Sequence, residues 1–190
     1  GEVGGPLHHL RLQAGQRVAV GGQLAGALAD VLLGARARPA WIPSETVTSL
    51  SAYTQPHEAD WATGAAMLIS ADAATAVGPW DERFFLYSEE TDFCRRARDL
   101  GFALWYEPAA VVRHAEGGSG ASVDLDRLLT VNRVRYARKH MTRGGAAVFR
   151  AVVALNALVR GYDSTHRAIL CTVVNERSWR HLPAATGTGA

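Results

Sequence analysis

The acidic run at residues 88–92 constrains this 190-residue chain more than any other feature, because it follows directly on an aromatic segment. With about 3.6 residues per turn, residues 88–100 form a helix that carries Phe93, Ala97 and Leu100 on one apolar side. Glu90 lies three residues before Phe93 and therefore projects from that same side. A carboxylate on a face that should be buried is the anomaly that the rest of the chain has to explain.

The other acids of the run have a simpler explanation. Ser88 is a good N-cap residue, and acids in a first helical turn complement the helix dipole by about 0.3–1 kcal/mol. This explanation covers Asp92, which turns away from the apolar side toward the arginines that follow it at helical pair spacings, and could also cover Glu89. It covers Glu90 less well, since a carboxylate facing a core needs a partner, a metal or a water-filled cleft. Spacing alone leaves a functional and a structural role for Glu90 equally open.

Composition places the chain among ordinary globular proteins, with 48% apolar and 20% charged residues. Cys94 and Cys171 both fall in predicted helices, which argues against a secreted disulfide framework and for a reducing compartment, the cytoplasm. No apolar run approaches the roughly 18 residues of a membrane span. The chain opens on Gly1 rather than Met, so we expect it to be a fragment, and the lack of a signal peptide is uninformative.

Charge is distributed unevenly along the chain. Residues 122–190 hold 11 Lys and Arg against 4 Asp and Glu, whereas residues 1–121 hold 9 against 14. A basic segment can attract phosphates, nucleic acid or the inner face of an anionic plasma membrane, although a solvated face is the more common case. Nucleic-acid binding is not expected, because the arginines of the first basic helix fall on several faces without an aromatic platform.

Periodicity predicts an α/β chain. Short apolar runs predict strands at residues 17–20, 66–70, 102–106 and 110–114. Helical spacing predicts helices at residues 23–33, 71–77, 122–141, 146–159 and 166–179. A long loop is expected at residues 35–60 and a disordered tail from residue 183. We therefore predict one α/β domain over residues 1–121 and a basic helical extension over residues 122–190.

Four motifs within about 60 residues resemble a known family. Residues 60–69 (DWATGAAMLI) are similar to the DW-x-x-GA-x-ML segment of inverting family 2 glycosyltransferases of the rhamnosyltransferase type. Residues 77–87 resemble that family's VGGFDExFFLY, with Pro79 and Trp80 in place of Gly and Phe. Residues 88–96 resemble its xEDxDLCxR, and residues 107–114 its xPxAxVxH. The order and spacing of the four motifs make the resemblance specific, whereas each motif alone would be weak.

The resemblance implies part of a GT-A fold, the acceptor-side half of a nucleotide-diphosphate-sugar transferase. Glu90 takes the place of the family's catalytic base, where Asp is usual, and His114 that of the histidine beside a divalent metal, Mg²⁺ or Mn²⁺. His114 by position alone is more often structural or solvated. The implied acceptor-site residues are Trp61, Gly64, Ala65, Glu89 and Asp92.

The implied activity is hexosyl transfer, with inversion, from a nucleotide-sugar donor to a saccharide or polyprenyl-linked acceptor, as in cell-wall or polysaccharide biosynthesis. The family's amino-terminal half, with its Asp-x-Asp metal motif, has no counterpart in residues 1–60. The only such triplet, residues 124–126, is interpreted as helix capping. We therefore expect an incomplete donor site and poor turnover by this chain alone. The alternative is a non-catalytic remnant that binds a membrane surface or a partner through its basic helices, while its acids only cap a helix.

Overall fold

The computed structural model describes residues 9–14, 18–19, 50–112 and 122–184, and these residues are a mixture of strands and helices. The strands are β1 (His9–Ala14), β2 (Val18–Ala19), β3 (His57–Ala59), β4 (Trp61–Ala62), β5 (Met67–Leu68) and β6 (Ala103–Val111). The helices are α1 (Ala71–Val77), α2 (Glu89–Asp99), α3 (Val123–His140), α4 (Arg143–Val159) and α5 (Ser164–Val174), with 3-10 turns at Leu50–Thr54, Glu82–Phe84 and Glu176–His181.

The described residues divide into two compact units. The first contains β1 to β6, α1 and residues 90–112, and the second contains Asp81–Glu89 and residues 122–184. The predicted boundary at residue 121 does not coincide with this division, because the Asp81–Glu89 segment packs with the helices that follow. The predicted assignment of residues 1–121 and 122–190 to two domains stays a prediction.

The first unit is built on a four-stranded sheet in the order β3-β6-β1-β5. β6 pairs parallel with β1 and antiparallel with β3, while β2 and β4 form a separate two-stranded sheet. Along β6, Leu104 and Tyr106 are buried and alternate with half-buried neighbours, as the twofold repeat of a strand requires. Their side chains pack with those of Ala59, Trp61 and Phe93 into one core cluster.

Local signals in the sequence explain α1. Ser70 has extended backbone angles, and its hydroxyl accepts a hydrogen bond from the Ala73 amide, which makes it the N-cap. Gly78 ends the helix with φ of 76°, a left-handed conformation that glycine adopts without steric cost, and its amide donates to the Ala74 carbonyl. The predicted helix over residues 71–77 is therefore confirmed at both ends.

Three predictions for the first unit are corrected by the structure. The two strands expected around Pro108 are one strand, β6, whose pairing with β1 shifts register after Glu107, and such irregularities are where a strand tolerates proline. The strand expected at residues 66–70 is only the two-residue β5, and Leu68 is 60% exposed. β1 was not predicted, because its alternating residues lie in a glycine-rich segment and glycine is more typical of loops than of strands. The helix predicted over residues 23–33 lies outside the described residues.

The second unit is a set of three helices with a common apolar core. α3, α4 and α5 begin at the N-cap residues Ser122, Thr142 and Asp163, each of which accepts a hydrogen bond from an amide of its first turn. The core side chains belong to Val134, Ala137, Ala146, Phe149, Val153 and Val173. The sequence predicted α3 closely, whereas α5 ends at Val174 and gives way to a 3-10 turn, five residues before the predicted end at residue 179. Among the described residues, no helix is long and apolar enough to cross a bilayer.

Candidate functional site

The predicted base, Glu90, lies in the first turn of α2 and is half-buried. It borders the loop after β4, since a Cβ atom added to Gly64 would lie 4.0 Å from the Cβ of Glu90. Its charge also reaches the buried thiol of Cys94. Burial raises the pKa of Cys94 to about 12, and the negative charge of Glu90 adds to that shift. Glu90 thus lies beside the Gly64 loop, and its role as a catalytic base stays a prediction.

Trp61 occupies β4 of the first unit and is only 8% exposed. Its ring packs into the cluster that contains Phe93 of α2. The indole Nε1–H is buried and finds no acceptor among the described residues. A buried donor left in this state costs about 1–3 kcal/mol.

Asp92 is fully buried, and its Oδ2 accepts a hydrogen bond of 2.9 Å from Nε of Arg96. Arg96 donates at the same time to the carbonyl oxygens of Val77, at 2.7 Å, and Pro79, at 3.0 Å. The predicted pairing of Asp92 with an arginine one turn later is confirmed. The expectation that Asp92 turns away from the buried side of α2 is wrong, because Arg96 pairs with its carboxylate inside the packed part of the unit. Asp92 therefore fixes the segment after α1 onto α2, and its predicted contact with an acceptor stays a prediction.

Trp80 was singled out in the sequence only as a departure from the family pattern. In the structure its ring stacks on Phe93, with ring centroids 4.6 Å apart and an interplanar angle of 27°. The Arg96 guanidinium lies 5.5 Å from the centre of the same Phe93 ring. Because Trp80 remains 44% exposed, α2 carries a supported aromatic surface of the kind on which sugar rings pack.

The turn that precedes Glu89 belongs to the second unit and has a strained backbone. Phe85, Tyr87 and Ser88 have φ of 41°, 71° and 71°, values that are uncommon for residues other than glycine. Buried Asn132 holds this turn, because its Nδ2 donates to the carbonyl oxygens of Phe84, Leu86 and Tyr87 at 2.6, 2.8 and 2.9 Å. Ser88 is thus not in the extended conformation of a usual N-cap, contrary to the expectation from sequence. Sequence reasoning also missed Asn132, since a single polar residue in a helix carries no signal of a partner 45 residues away.

The remaining predicted site residues are only partly described. Gly64 and Ala65 are exposed, and Glu89 is half-buried in the second unit. His114 lies outside the described residues, so its predicted role beside a metal stays a prediction. Within residues 50–112 and 122–184, no group of three or more His, Cys, Asp or Glu side chains is placed to hold a metal ion. The divalent metal therefore remains an expectation from the resemblance, and no step below depends on it.

Comparison with known proteins gives one partial likeness. The chain is 36% identical over 59 residues to the N-acetylglucosaminyl-diphospho-decaprenol L-rhamnosyltransferase of Mycobacterium tuberculosis, in both strain CDC 1551 / Oshkosh and strain ATCC 25618 / H37Rv. The matched segment is 31% of this chain and 19% of the relative, so the chain spans about a fifth of that protein. No protein-family profile and no solved structure matches the chain. The likeness supports a glycosyltransferase-like relationship.

Proposed function

We propose that this chain supplies the acceptor-side part of an inverting family 2-like glycosyltransferase of GT-A type, with Glu90 as its base. The observation that carries the proposal is the position of Glu90 beside the Gly64 loop, on the same helix as the core residue Phe93 that packs with Trp61. The half-exposed ring of Trp80, stacked on Phe93, adds an apolar surface in the same unit. An aromatic surface of this kind can pack against an apolar face of a ligand.

The proposed chemistry is a single displacement. The Glu90 carboxylate accepts the proton of an acceptor hydroxyl as the hydroxyl oxygen forms its bond to the anomeric carbon of the donor sugar. The bond from that carbon to the diphosphate oxygen breaks, and the nucleoside diphosphate leaves with the electron pair. A positioned carboxylate contributes roughly 10²–10⁴-fold to such a step. Attack from the face opposite the leaving group inverts the anomeric configuration.

The proposed substrates follow from the resemblance and the mycobacterial relative, whose name describes rhamnosyl transfer to a diphospho-decaprenol-linked sugar. For this chain we propose a nucleotide-diphosphate sugar as donor and a saccharide or polyprenyl-linked saccharide as acceptor, at the inner face of the plasma membrane. A divalent metal would offset the charge of the departing diphosphate, and His114 is the residue that we propose beside it.

The test combines product formation with acceptor binding. The chain is incubated with a panel of nucleotide sugars, Mg²⁺ or Mn²⁺ and an N-acetylglucosaminyl-diphospho-polyprenyl acceptor, and the glycosylated acceptor is detected by mass spectrometry. We expect slow transfer that falls roughly 10²–10⁴-fold in Glu90→Gln, and partial retention in Glu90→Asp, which keeps a carboxylate. Glu58→Gln is the matched control, because Glu58 is an exposed glutamate of the same unit.

Two results would contradict the proposal. The first is equal product formation by the wild-type chain and Glu90→Gln. The second is an acceptor affinity, measured without donor, that is unchanged in both Glu90→Ala and Trp61→Phe. If Glu90 were only a helix cap, its substitution would lower the free energy of unfolding by about 1 kcal/mol and leave both readouts unchanged.

A further inference from the structure

A basic pocket of about 490 Å³ lies within the second unit. Its volume is in the range of sites for small molecules. One acidic side chain, Glu82, lines it, together with Phe84, Trp179 and Leu182 as its larger apolar walls. The cationic side chains that line it are Arg83, Arg135, Arg138, Lys139 and Arg180. We call this feature the basic pocket.

Two of these arginines are held in fixed positions by the ring of Trp179. The guanidinium carbons of Arg135 and Arg138 lie 5.6 and 5.0 Å from the ring centre. The ring itself is anchored, because Trp179 Nε1 donates to the Thr172 carbonyl at 2.8 Å. Stacking on an aromatic ring uses the flat face of a guanidinium and leaves its N–H edge directed outward. The pocket therefore presents oriented donors rather than freely moving side chains.

Arg135 is further oriented by the strained turn of the same unit. Its Nη1 donates to the Arg83 carbonyl at 2.9 Å and to Oδ1 of Asn132 at 2.8 Å. Both hydrogen bonds use the same nitrogen atom, so the other N–H groups of this guanidinium can serve another acceptor. Arg135 is half-buried, which means that this orientation does not depend on a surface rotamer.

The cationic side chains of the basic pocket outnumber the acidic side chains that line it or pair with them. Asp81 pairs with Lys139 at 2.7 Å and with Arg83, and Glu176 pairs with Arg138 at 2.6 Å. Within the described part of the chain, no carboxylate forms an ion pair with Arg135 or Arg180. Burial, and next the nearby charge of Arg83, lower the pKa of the Arg135 guanidinium. Like charges held together in a partly dry site favour an anionic ligand.

We propose that the basic pocket binds a phosphate or diphosphate group. Guanidinium groups match phosphate oxygens in geometry and form paired, charge-assisted hydrogen bonds with them. The apolar walls of Trp179 and Leu182 fit a ligand that continues into a hydrophobic or aromatic moiety. The same diphosphate chemistry has two sources, the headgroup of a diphospho-lipid and a soluble nucleoside diphosphate. This site lies in the second unit and does not depend on sugar transfer at Glu90.

The arginines of α3 were expected on several faces, and Arg133 does not line the basic pocket. Arg135, Arg138 and Lys139 share it because they follow at helical spacings of three and four. The aromatic partner that seemed to be missing is Trp179, more than 40 residues later in the chain.

The test measures binding of inorganic diphosphate to the full chain by isothermal titration calorimetry at constant ionic strength. Arg135→Gln and Arg180→Gln each remove one pocket cation, and we expect each to weaken binding by about tenfold or more. Arg177→Gln is the matched control, because Arg177 is exposed, belongs to the same 3-10 turn as Arg180 and lies outside the pocket. The control should bind within about twofold of wild type, since Arg177 does not line the pocket and its exposed charge is screened by solvent and salt.

Vesicles separate the two sources. The chain is sedimented with phosphatidylcholine vesicles that contain or lack a polyprenyl diphosphate. Binding that requires the diphospho-lipid, is displaced by inorganic diphosphate and is lost in Arg180→Gln identifies a lipid headgroup. Binding of inorganic diphosphate without vesicle binding excludes the lipid headgroup, and tighter binding of UDP or dTDP than of inorganic diphosphate then identifies a nucleoside diphosphate. Equal weakening by Arg177→Gln and Arg180→Gln in variants that melt like wild type, or no binding in either assay, would overturn the proposal. Neither outcome bears on the Glu90 assay.

Discussion

Replacement of Asn132 tests how the strained turn before Glu89 is held. One side-chain amide serves the carbonyl oxygens of Phe84, Leu86 and Tyr87, and Arg135 fixes the amide by donating to its Oδ1. Asn132→Ala removes these hydrogen bonds, each worth about 0.5–1.5 kcal/mol net, and leaves buried acceptors unsatisfied. Relaxation of the turn returns part of its strain, about 1–2 kcal/mol per left-handed residue. We expect a net loss of about 2 kcal/mol in the free energy of unfolding, measured by urea denaturation.

Asn132→Asp separates the loss of the donor from the loss of volume. The introduced carboxylate has nearly the same shape but directs a charged oxygen at three carbonyl oxygens, so at neutral pH we expect it to cost at least as much as alanine. The Arg135 guanidinium at Oδ1 would offset part of this cost, but it cannot replace the donor that the three carbonyl oxygens lose. Wild-type stability of Asn132→Asp at neutral pH would refute this explanation of the turn.

Three further predictions concern stability and reactivity. Asp92→Ala breaks a buried ion pair and should lower the free energy of unfolding in urea by about 3 kcal/mol. Asp99→Ala breaks an exposed pair on the same helix and should cost less than about 1 kcal/mol. Equal costs for the two variants would contradict the burial of the Asp92 pair. In the native chain a thiol reagent should label exposed Cys171 and spare Cys94, whereas in urea it should label both, as measured by intact mass. Rapid labelling of Cys94 in the native chain would contradict its burial and its raised pKa. Hydrogen bonds and charge from Arg83 and Lys139 lower the pKa of Asp81 below its ordinary value of 3.8. The stabilisation that the Asp81 carboxylate contributes is therefore complete above pH 3.8 and is lost as the pH falls further. Asp81→Asn should flatten the acid dependence of the thermal unfolding temperature, and an unchanged acid slope would contradict the shift.

Much of the local structure could be predicted because its causes are local. Gly78 marks the end of α1, and helical spacing predicted α3 over residues 122–141, close to its observed range of Val123–His140. The same reasoning placed Phe93 and Ala97 correctly on the buried side of α2. These predictions hold because a cap or a helical face depends on residues within about one turn of each other.

The errors arise where distant parts of the chain decide the outcome. Leu100 was expected on the buried side of α2 but is 56% exposed, because the helix ends at Asp99 and the chain turns at Gly101 with φ of 87°. Pro108 suggested a break in β6, whereas pairing with β1, which resumes at Val111, carries the strand through it. Sequence periodicity contains no information on such long-range pairing.

The candidate site shows the same division. Helical spacing predicted the position of Glu90 on α2. The resemblance assigned Glu90 and Gly64 to one site, and the two residues are neighbours in the structure. The support given to the site by Asp92, through Arg96 and the carbonyl oxygens of residues 77 and 79, could not be inferred. A carboxylate that pairs on its own helix and holds a distant loop looks, in sequence, like any exposed i,i+4 pair.

The central claim is that Glu90 and Trp61 border a saccharide site, and an N–H correlation spectrum of the full chain tests it most directly. The chain has five tryptophans, so its indole N–H signals can be assigned by single Trp→Phe substitutions. The spectrum is recorded while neutral monosaccharide glycosides, which carry no phosphate, are titrated in. The account predicts that one of them shifts the Trp61 indole signal and the Glu90 amide signal saturably, and that Glu90→Ala weakens this binding. Saturable shifts confined to other parts of the chain, with Trp61 and Glu90 unchanged, would contradict it.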